Sequence, residues 1–301
     1  MIGYIFLGIA LLAGTTKGYC GKKISDKIAT IADSALVNTG RMLCCMIIGV
    51  LFTVIHDGLG ALSVSTSTLL LSLIGGVCSA LLLISWIFSV KQSAYMMVEV
   101  FLLLGTVIPI SFSALVFNES IRFIQGIGIV VLLVAVYIMS TYNTSIKGKM
   151  SIKSMTPLII AGVANGLVDL SQKMFTRYKG ADTASAFNFY TYVFAGIVLF
   201  GFYIFLRAKN KSAQEKLIDV TLFRKFFIYV LIMSICHFAN SYFKTLAGGY
   251  ISATQLYPLN QGASVVLSLL MVSIFFKEKI NKKCILGICL AFVAILFINF
   301  F

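Results

Sequence analysis

Ala114-Leu-Val-Phe-Asn-Glu-Ser-Ile-Arg122 ends one apolar run, turns at Asn118-Glu119, and restarts as Phe123-Ile-Gln-Gly-Ile-Gly-Ile-Val130. The pattern returns 159 residues later as Ser273-Ile-Phe-Phe-Lys-Glu-Lys-Ile280, which leads into Gly287-Ile-Cys-Leu290. At that single offset Phe117 meets Phe276, Glu119 meets Glu278, Ile121 meets Ile280 and Gly128 meets Gly287. Ile129, Val134 and Ala135 then meet Ile288, Val293 and Ala294, making seven identities in nineteen ungapped positions. The chain reads as an internal duplication.

Composition sets the medium. Hydrophobic residues make up 59 % of the chain and charged residues 11 %, against about 25 % charged in an ordinary soluble protein. Mean hydropathy is +1.00. The net charge of +14 does not indicate nucleic acid as a partner, because the Lys and Arg residues lie in short loops between apolar runs and form no basic face. Such an excess marks loops facing anionic lipid. The seven cysteines (20, 44, 45, 78, 236, 284, 289) show no zinc or disulfide spacing and read as small apolar packing residues. Met1-Ile-Gly-Tyr-Ile5 begins apolar at once, without a basic leader region, and is expected to open the first span.

Ten runs are long enough to cross about 30 Å of hydrocarbon as helices: 2–20, 35–55, 67–89, 94–117, 123–141, 156–176, 185–206, 226–246, 252–275 and 283–301. The linker Thr141-Tyr-Asn-Thr-Ser-Ile-Lys-Gly-Lys-Met150 separates two sets of five, giving repeats at 1–145 and 146–301. Five is odd, so the second repeat enters the membrane upside down relative to the first. The expected fold is all-α: ten transmembrane helices in two inverted five-helix repeats, an arrangement that in carriers places the site between the halves near the midplane.

The chain resembles the drug/metabolite transporter superfamily, in its EamA-like ten-span branch. Phe117-x-Glu119…Gly128 and Phe276-x-Glu278…Gly287 carry the resemblance. Leu170-Ser-Gln-Lys173, Phe187-Asn-Phe-Tyr190 and Gln255-Leu-Tyr-Pro-Leu-Asn-Gln-Gly262 add to it. The likeness implies a carrier and is nearly silent on substrate.

Charge argues orientation. On the ten-run reading, seventeen Lys and Arg residues fall on one side, chiefly in loops 21–34, 142–155, 207–225 and 277–283, against Arg122, Arg177 and Lys179 on the other. The positive-inside rule makes the basic side cytoplasmic and both termini external, in a plasma-membrane protein. The family resemblance implies the reverse, with cytoplasmic termini.

Charged residues inside spans cost about 2.5–3.5 kcal/mol each at the bilayer centre, so they mark a cavity or a partner. Near span ends they snorkel instead, which is the expectation for Arg41 and Lys244 and a partial one for Lys17 and Lys173. Asn165, Asp169 and Lys173 follow one another at i, i+4, i+8 as a polar stripe. The stripe serves either an internal Asp169–Lys173 ion pair or a ligand or proton path. Glu99, inside the fourth run, is a coupling candidate or a salt-bridge partner; its duplicate position holds Pro258. His237, Asn240 and Lys244 share a face of the eighth run, His237 reading either as a titrating ligand or as a packed ring. Tyr257, Asn260 and Gln261 flank Pro258, which removes a ladder hydrogen bond, and form the strongest substrate-contact cluster. Asn188, Tyr190 and Tyr192 read as contacts or interfacial anchors, and Trp86 as a cavity wall or core residue. Glu119 and Glu278 are read as structural, each complementing the positive end of the helix it starts, with Gly128 and Gly287 part of the same motif. Gly14-x-x-x-Gly18 and Gly162-x-x-x-Gly166 are expected to allow close helix approach.

No catalytic, metal or cofactor motif occurs, since His-Glu-x-x-His, Gly-x-Ser-x-Gly and phosphate loops are missing. The expected function is secondary-active transport of a small polar metabolite, an amino acid or a related zwitterion or weak anion, by alternating access. The alternatives are a proton-coupled exporter of cationic or lipophilic compounds, using Glu99 or Asp169, and a non-transporting scaffold or lipid-handling protein. The expected partners are the substrate, the bilayer and protons as a candidate coupling ion, in a monomer or homodimer.

Overall fold

Backbone N–H and C=O groups in hydrocarbon have to be satisfied within the chain, and a helix does this within one segment. The computed structural model describes residues 1–25, 27–28, 30–117, 123–147, 152–209, 220–277 and 281–300. Among them the helices are α1 (Ile2–Ser25), α2 (Ile31–His56), α3 (Thr66–Gln92), α4 (Tyr95–Gly105), α5 (Val107–Phe117) and α6 (Phe123–Lys147), then α7 (Ile152–Tyr178), α8 (Ala184–Lys209), α9 (Val220–Ala247), α10 (Ala253–Phe275) and α11 (Lys282–Phe300). A short 3-10 turn, Leu59–Leu62, joins α2 to α3. No strand occurs among the described residues. Among the described residues, seven apolar stretches, with α4 and α5 taken together as one, are long and apolar enough to cross a membrane.

Local signals set several boundaries. Thr30 and Asp33 form a capping box, the Thr30 hydroxyl accepting from the Asp33 N–H (3.1 Å) and the Asp33 carboxylate from the Thr30 N–H (3.0 Å). That box satisfies two of the helix's unpaired donors and starts α2 at Ile31, four residues before the boundary expected from hydropathy. Ser65 caps α3 through the Thr68 N–H.

The fourth run departs from expectation. The single helix expected over 94–117 breaks into α4 and α5 at Thr106. Pro109 explains the break: it has no N–H for the Gly105 carbonyl, and its ring crowds that carbonyl. Thr106 turns its N–H back to the Leu103 carbonyl (3.0 Å), and its hydroxyl donates to the same oxygen (2.7 Å). Asn165 of α7 donates its amide to the Leu102 carbonyl at 3.3 Å. Pro258 has no such effect, since α10 runs unbroken through it.

Glycine lets α4 and α7 touch. A Cβ on Gly162 would lie 2.6 Å from the Phe101 carbonyl oxygen, and Cβ atoms on Gly105 or Gly166 would meet the opposite backbone more closely still. Gly14 and Gly18 work differently, making room for the Asn240 amide and the Tyr95 hydroxyl rather than for another backbone.

The most extensive helix pairs are α3 with α7, α1 with α9, α2 with α8 and α6 with α11. Further contacts join α3 to α8, α2 to α9, α4 to α7, α1 to α10, α4 to α6, and α10 to both α11 and α4. The outer surface is apolar: Leu43, Ile47, Leu51 and Ile55, at four-residue steps, form an exposed stripe down α2. Polar side chains instead turn inward, with Arg41, Glu99, Asn165, Asp169, Gln172, Lys244, Asn260 and Gln261 all buried. This is the inside-out distribution of a protein solvated by lipid.

The glycine contacts carry a test. Gly105→Ala or Gly166→Ala is expected to destabilise the detergent-purified protein by about 1–3 kcal/mol, the usual cost of overpacking, seen as a lower melting temperature. Gly8→Ala and Gly201→Ala, where nothing lies within 4 Å, should leave it unchanged or raise it. Equal behaviour of the two sets would rule out the packing account.

Candidate functional site

Eight helices (α1 to α4 and α7 to α10) wall one cavity of about 130 Å³, close to the roughly 150 Å³ that accommodates a benzene molecule. A small metabolite fits. From α1 come Lys17 and the bare backbone at Gly14 and Gly18; Arg41 comes from α2 and Trp86 from α3. Tyr95 and Glu99 stand one turn apart on α4 and both line the cavity. Asn165 and Gln172 line it from α7, Tyr192 from α8, His237, Asn240, Ser241 and Lys244 from α9, and Asn260 and Gln261 from α10.

Of the residues singled out from sequence, Glu99, Asn165, His237, Asn240, Asn260 and Gln261 therefore meet around one space. Three others stand apart from its walls. Asp169 is buried behind Lys244, whose Nζ donates to Oδ1 at 2.5 Å. The expected Asp169–Lys173 alternative is thus replaced by a pair between two helices. Lys173 is buried on the same face of α7. Tyr257 is 1 % exposed and packs with Leu7, Ala247, Ile251 and Leu256, one turn beyond Asn260. Glu119 and Glu278 lie outside the described residues. Their motif partner Gly287 packs on the Met139 side chain of α6.

Two snorkelling expectations are corrected. Lys244 is drawn inward by Asp169. Arg41 is 3 % exposed and its Nη2 donates to His237 Nδ1 at 2.9 Å. A guanidinium can only donate, so Nδ1 is the acceptor and the His237 proton sits on Nε2. Starting α2 at residue 35 had placed Arg41 near a helix end; starting it at Ile31 places it deep inside. Lys17, Tyr95 and Gln172 line the cavity outside the expected binding set, and Trp86 and Tyr192 take the wall positions that were one of their two expected roles. Lys17 had a readable signal, lying between two glycines that open the face of α1.

Hydrogen bonds hold the wall in place. Gln172 Nε2 donates to Ser241 Oγ (3.0 Å), which donates to Asn188 Oδ1 (2.6 Å). Asn240 Nδ2 donates to the Ala10 carbonyl at 2.7 Å, so this predicted contact residue also ties α9 to α1. Unmet polar atoms remain on the cavity-lining residues: Arg41 Nε, Gln172 Oε1, Tyr192 Oη and Asn260 Oδ1 are buried without partners.

One end of the bundle is clasped by two aspartates. Asp182 Oδ2 accepts from the Ser65 N–H (3.0 Å) and hydroxyl (2.5 Å). Asp57 Oδ2 accepts from Ser185, and its Oδ1 pairs with His56 Nδ1 at 2.7 Å. Tyr190 donates to the Leu62 carbonyl at 2.8 Å. The α2–α3 connection is thereby tied to the α7–α8 connection. Burial works to raise both carboxyls, but hydrogen bonds outweigh it and hold both below the usual range: from Ser185 and His56 on Asp57, and from Ser65 and Thr68 on Asp182.

Residues 153–300 match the EamA-like transporter family. A solved structure, described only as the crystal structure of a protein, is 11 % identical and superposes with a TM-score of 0.64 over 99 % of this chain and 97 % of that one. That likeness concerns the fold alone. No curated protein matches the chain.

Two tests follow from the site. Lys244→Met should destabilise the protein by about 3–5 kcal/mol, because it strands a buried carboxylate, whereas Lys244→Met with Asp169→Leu should recover most of that loss. A double mutant no better than the single would exclude the pair as the cause. For the clasp, a depressed folded pKa gives stability that is complete above the unfolded aspartate value of about 3.9 and is lost as pH falls below it. The melting temperature should therefore drop at acid pH, and Asp57→Asn with Asp182→Asn should flatten that limb. An unchanged acid limb would count against the clasp.

Proposed function

Since the chain belongs, through residues 153–300, to the EamA-like transporter family, we propose that it is a secondary-active carrier that moves a small polar metabolite across the membrane by alternating access. The buried polar cavity enclosed by eight otherwise apolar helices carries this reading. A pore-less, lipid-solvated bundle has no structural need for charged and amide side chains around a central space, whereas a carrier does.

The ten-span inverted-repeat organisation, 1–145 and 146–301, belongs to the same proposal, with α4 and α5 taken as one broken span. Helix packing supports it. Exchanging each span with its counterpart five spans on turns α1·α9 into α7·α3, α1·α10 into α7·α4, α2·α9 into α8·α3, and α4·α6 into α10·α11. The pairs α2·α8, α4·α10 and α6·α11 map onto themselves. The site then lies between the repeats, as in other inverted-repeat carriers. On this reading the aspartate clasp holds one end shut and releases when access alternates, and the basic loops mark the cytoplasmic face.

The substrate is read as an amino acid or a related zwitterion or weak anion, contacted by His237, Asn240, Asn260 and Gln261. Lys17, Arg41 and Lys244 outnumber Glu99 and the nearby Asp169, which disfavours a bare cation. Glu99, buried in the wall, supports a second reading as a proton-coupled exporter.

Purified protein in proteoliposomes should give saturable counterflow of labelled amino acids. Asn260→Leu, which removes a polar contact and keeps bulk, should lower kcat/KM by about tenfold or more, equivalent to some 1.4 kcal/mol. Flux equal to that of empty liposomes would sink the carrier reading. Proton-driven efflux of lipophilic cations, abolished by Glu99→Gln, would replace it with the exporter.

A further inference from the structure

The cavity's charges are not all matched. Lys244 has Asp169 at 2.5 Å. Lys17 and Glu99 line the same cavity with opposite formal charges. Arg41 differs from both. Its side-chain partner is the neutral His237 ring at 2.9 Å, and its Nε–H is buried without an acceptor. No carboxylate stands within ion-pair distance of it among the described residues.

A guanidinium stays protonated under any condition a protein survives, so Arg41 cannot relieve its burial by shedding charge. Leaving such a cation uncompensated at membrane depth is costly, and a bound anion removes that cost. The planar fork of Arg matches a carboxylate, which it can hold through parallel N–H donors. His237 adds to the same wall: because Nδ1 accepts from Arg41, its Nε2–H is left as a further donor. The balance of three cations against two carboxylates leaves one positive charge, which suits a monoanionic group. Elsewhere in the wall, Gln172 Oε1 and Asn260 Oδ1 lack donors and suit the N–H groups of an ammonium.

We infer that Arg41 is the specificity-determining residue of the cavity, and that it selects substrates bearing one carboxylate, which it holds together with His237. This deepens the carrier reading and rests on it. The carboxylate is the recognised group, and the acceptor atoms of Gln172 and Asn260 take up an amino group when the substrate has one.

The test uses the full chain in detergent and four forms each of alanine, leucine and phenylalanine: the L-amino acid, its amide, the decarboxylated amine and the deaminated acid. In at least one series the carboxylate forms should bind, and the amide and amine should bind about 30-fold or more weakly, the loss expected when a buried charge is left unpaired. Arg41→Gln should abolish that preference, while Arg41→Lys keeps the charge without the fork and retains part of it. The ligand comparison on the unmodified protein needs no variant to fold. Amides or amines binding as well as the acids would overturn the inference. So would a preference unchanged in Arg41→Gln, tighter binding of inorganic phosphate, or no carboxylate binding up to about 1 mM, the upper end of ordinary KM values. The same probes in proteoliposomes separate the two readings. Flux of amines without carboxylates would leave the carrier standing and remove the role of Arg41, whereas carboxylate binding without flux would do the opposite.

Discussion

A carboxylate and an ammonium buried in contact, Asp169 on α7 and Lys244 on α9, join two of the four most extensive helix pairs of the bundle. α7 packs chiefly on α3, and α9 on α1, so this one ion pair links α3·α7 to α1·α9 beside the cavity. Either charge alone would be expensive at this depth, and neither helix can withdraw without exposing the other's charge to hydrocarbon. Gln172, Ser241 and Asn188 continue the link between the same helices and α8. The polar interior is therefore a connected structure rather than a set of isolated groups, which keeps its side chains from collapsing into the space they surround.

The α4–α7 contact sets the shape of that space. Pro109 breaks the fourth apolar run, and glycines at 105, 162 and 166 let the two backbones touch where it breaks. Asn165 spends its amide on the Leu102 carbonyl there. Its place on the cavity wall thus has a structural cause, and its Oδ1 is the atom left for other roles. Above the break, α4 presents Tyr95 and Glu99 at one-turn spacing; Gly18 on α1 receives the Tyr95 hydroxyl, and Gly21 receives the Trp86 ring. Backbone small enough to be approached closely is what allows aromatic side chains to stand at this wall without separating the helices.

Much of this architecture was legible because hydropathy reports the medium directly. The chain is helical where the sequence is apolar, seven stretches among the described residues being long and apolar enough to cross a membrane, and the polar faces of α7, α9 and α10 are readable from their spacing. What escaped depended on depth and on neighbours. Arg41 lies deeper than hydropathy places it because the capping box at Thr30–Asp33 extends α2 backward by a turn, and hydropathy does not register that turn. Tyr257 shares a face with Asn260 and Gln261, yet the cavity closes one turn short of it, where Leu7 and Ala247 cover the ring. Asp169 had a plausible partner four residues away; its partner is 75 residues away because α7 faces α9 there, a relation no periodicity within α7 contains. Pro109 is the signal in the sequence for the break between α4 and α5.

On the repeat reading, the bundle combines a symmetrical scaffold with unsymmetrical chemistry, and the two properties serve different needs. Helix contacts that exchange in pairs give the two halves interchangeable arrangements, so that opening one end costs about as much as opening the other, and a small differential affinity can decide between them. Identical chemistry in both halves would duplicate each charge across the cavity and place like charges in opposition. Glu99 has Pro258 at its duplicate position, Arg41 comes from the first half alone, and the Asp169–Lys244 pair from the second alone. The cavity therefore offers a ligand one orientation. Under the proposed alternating access, that single orientation would let the same contacts be presented to both sides of the membrane while the scaffold around them exchanges its two forms.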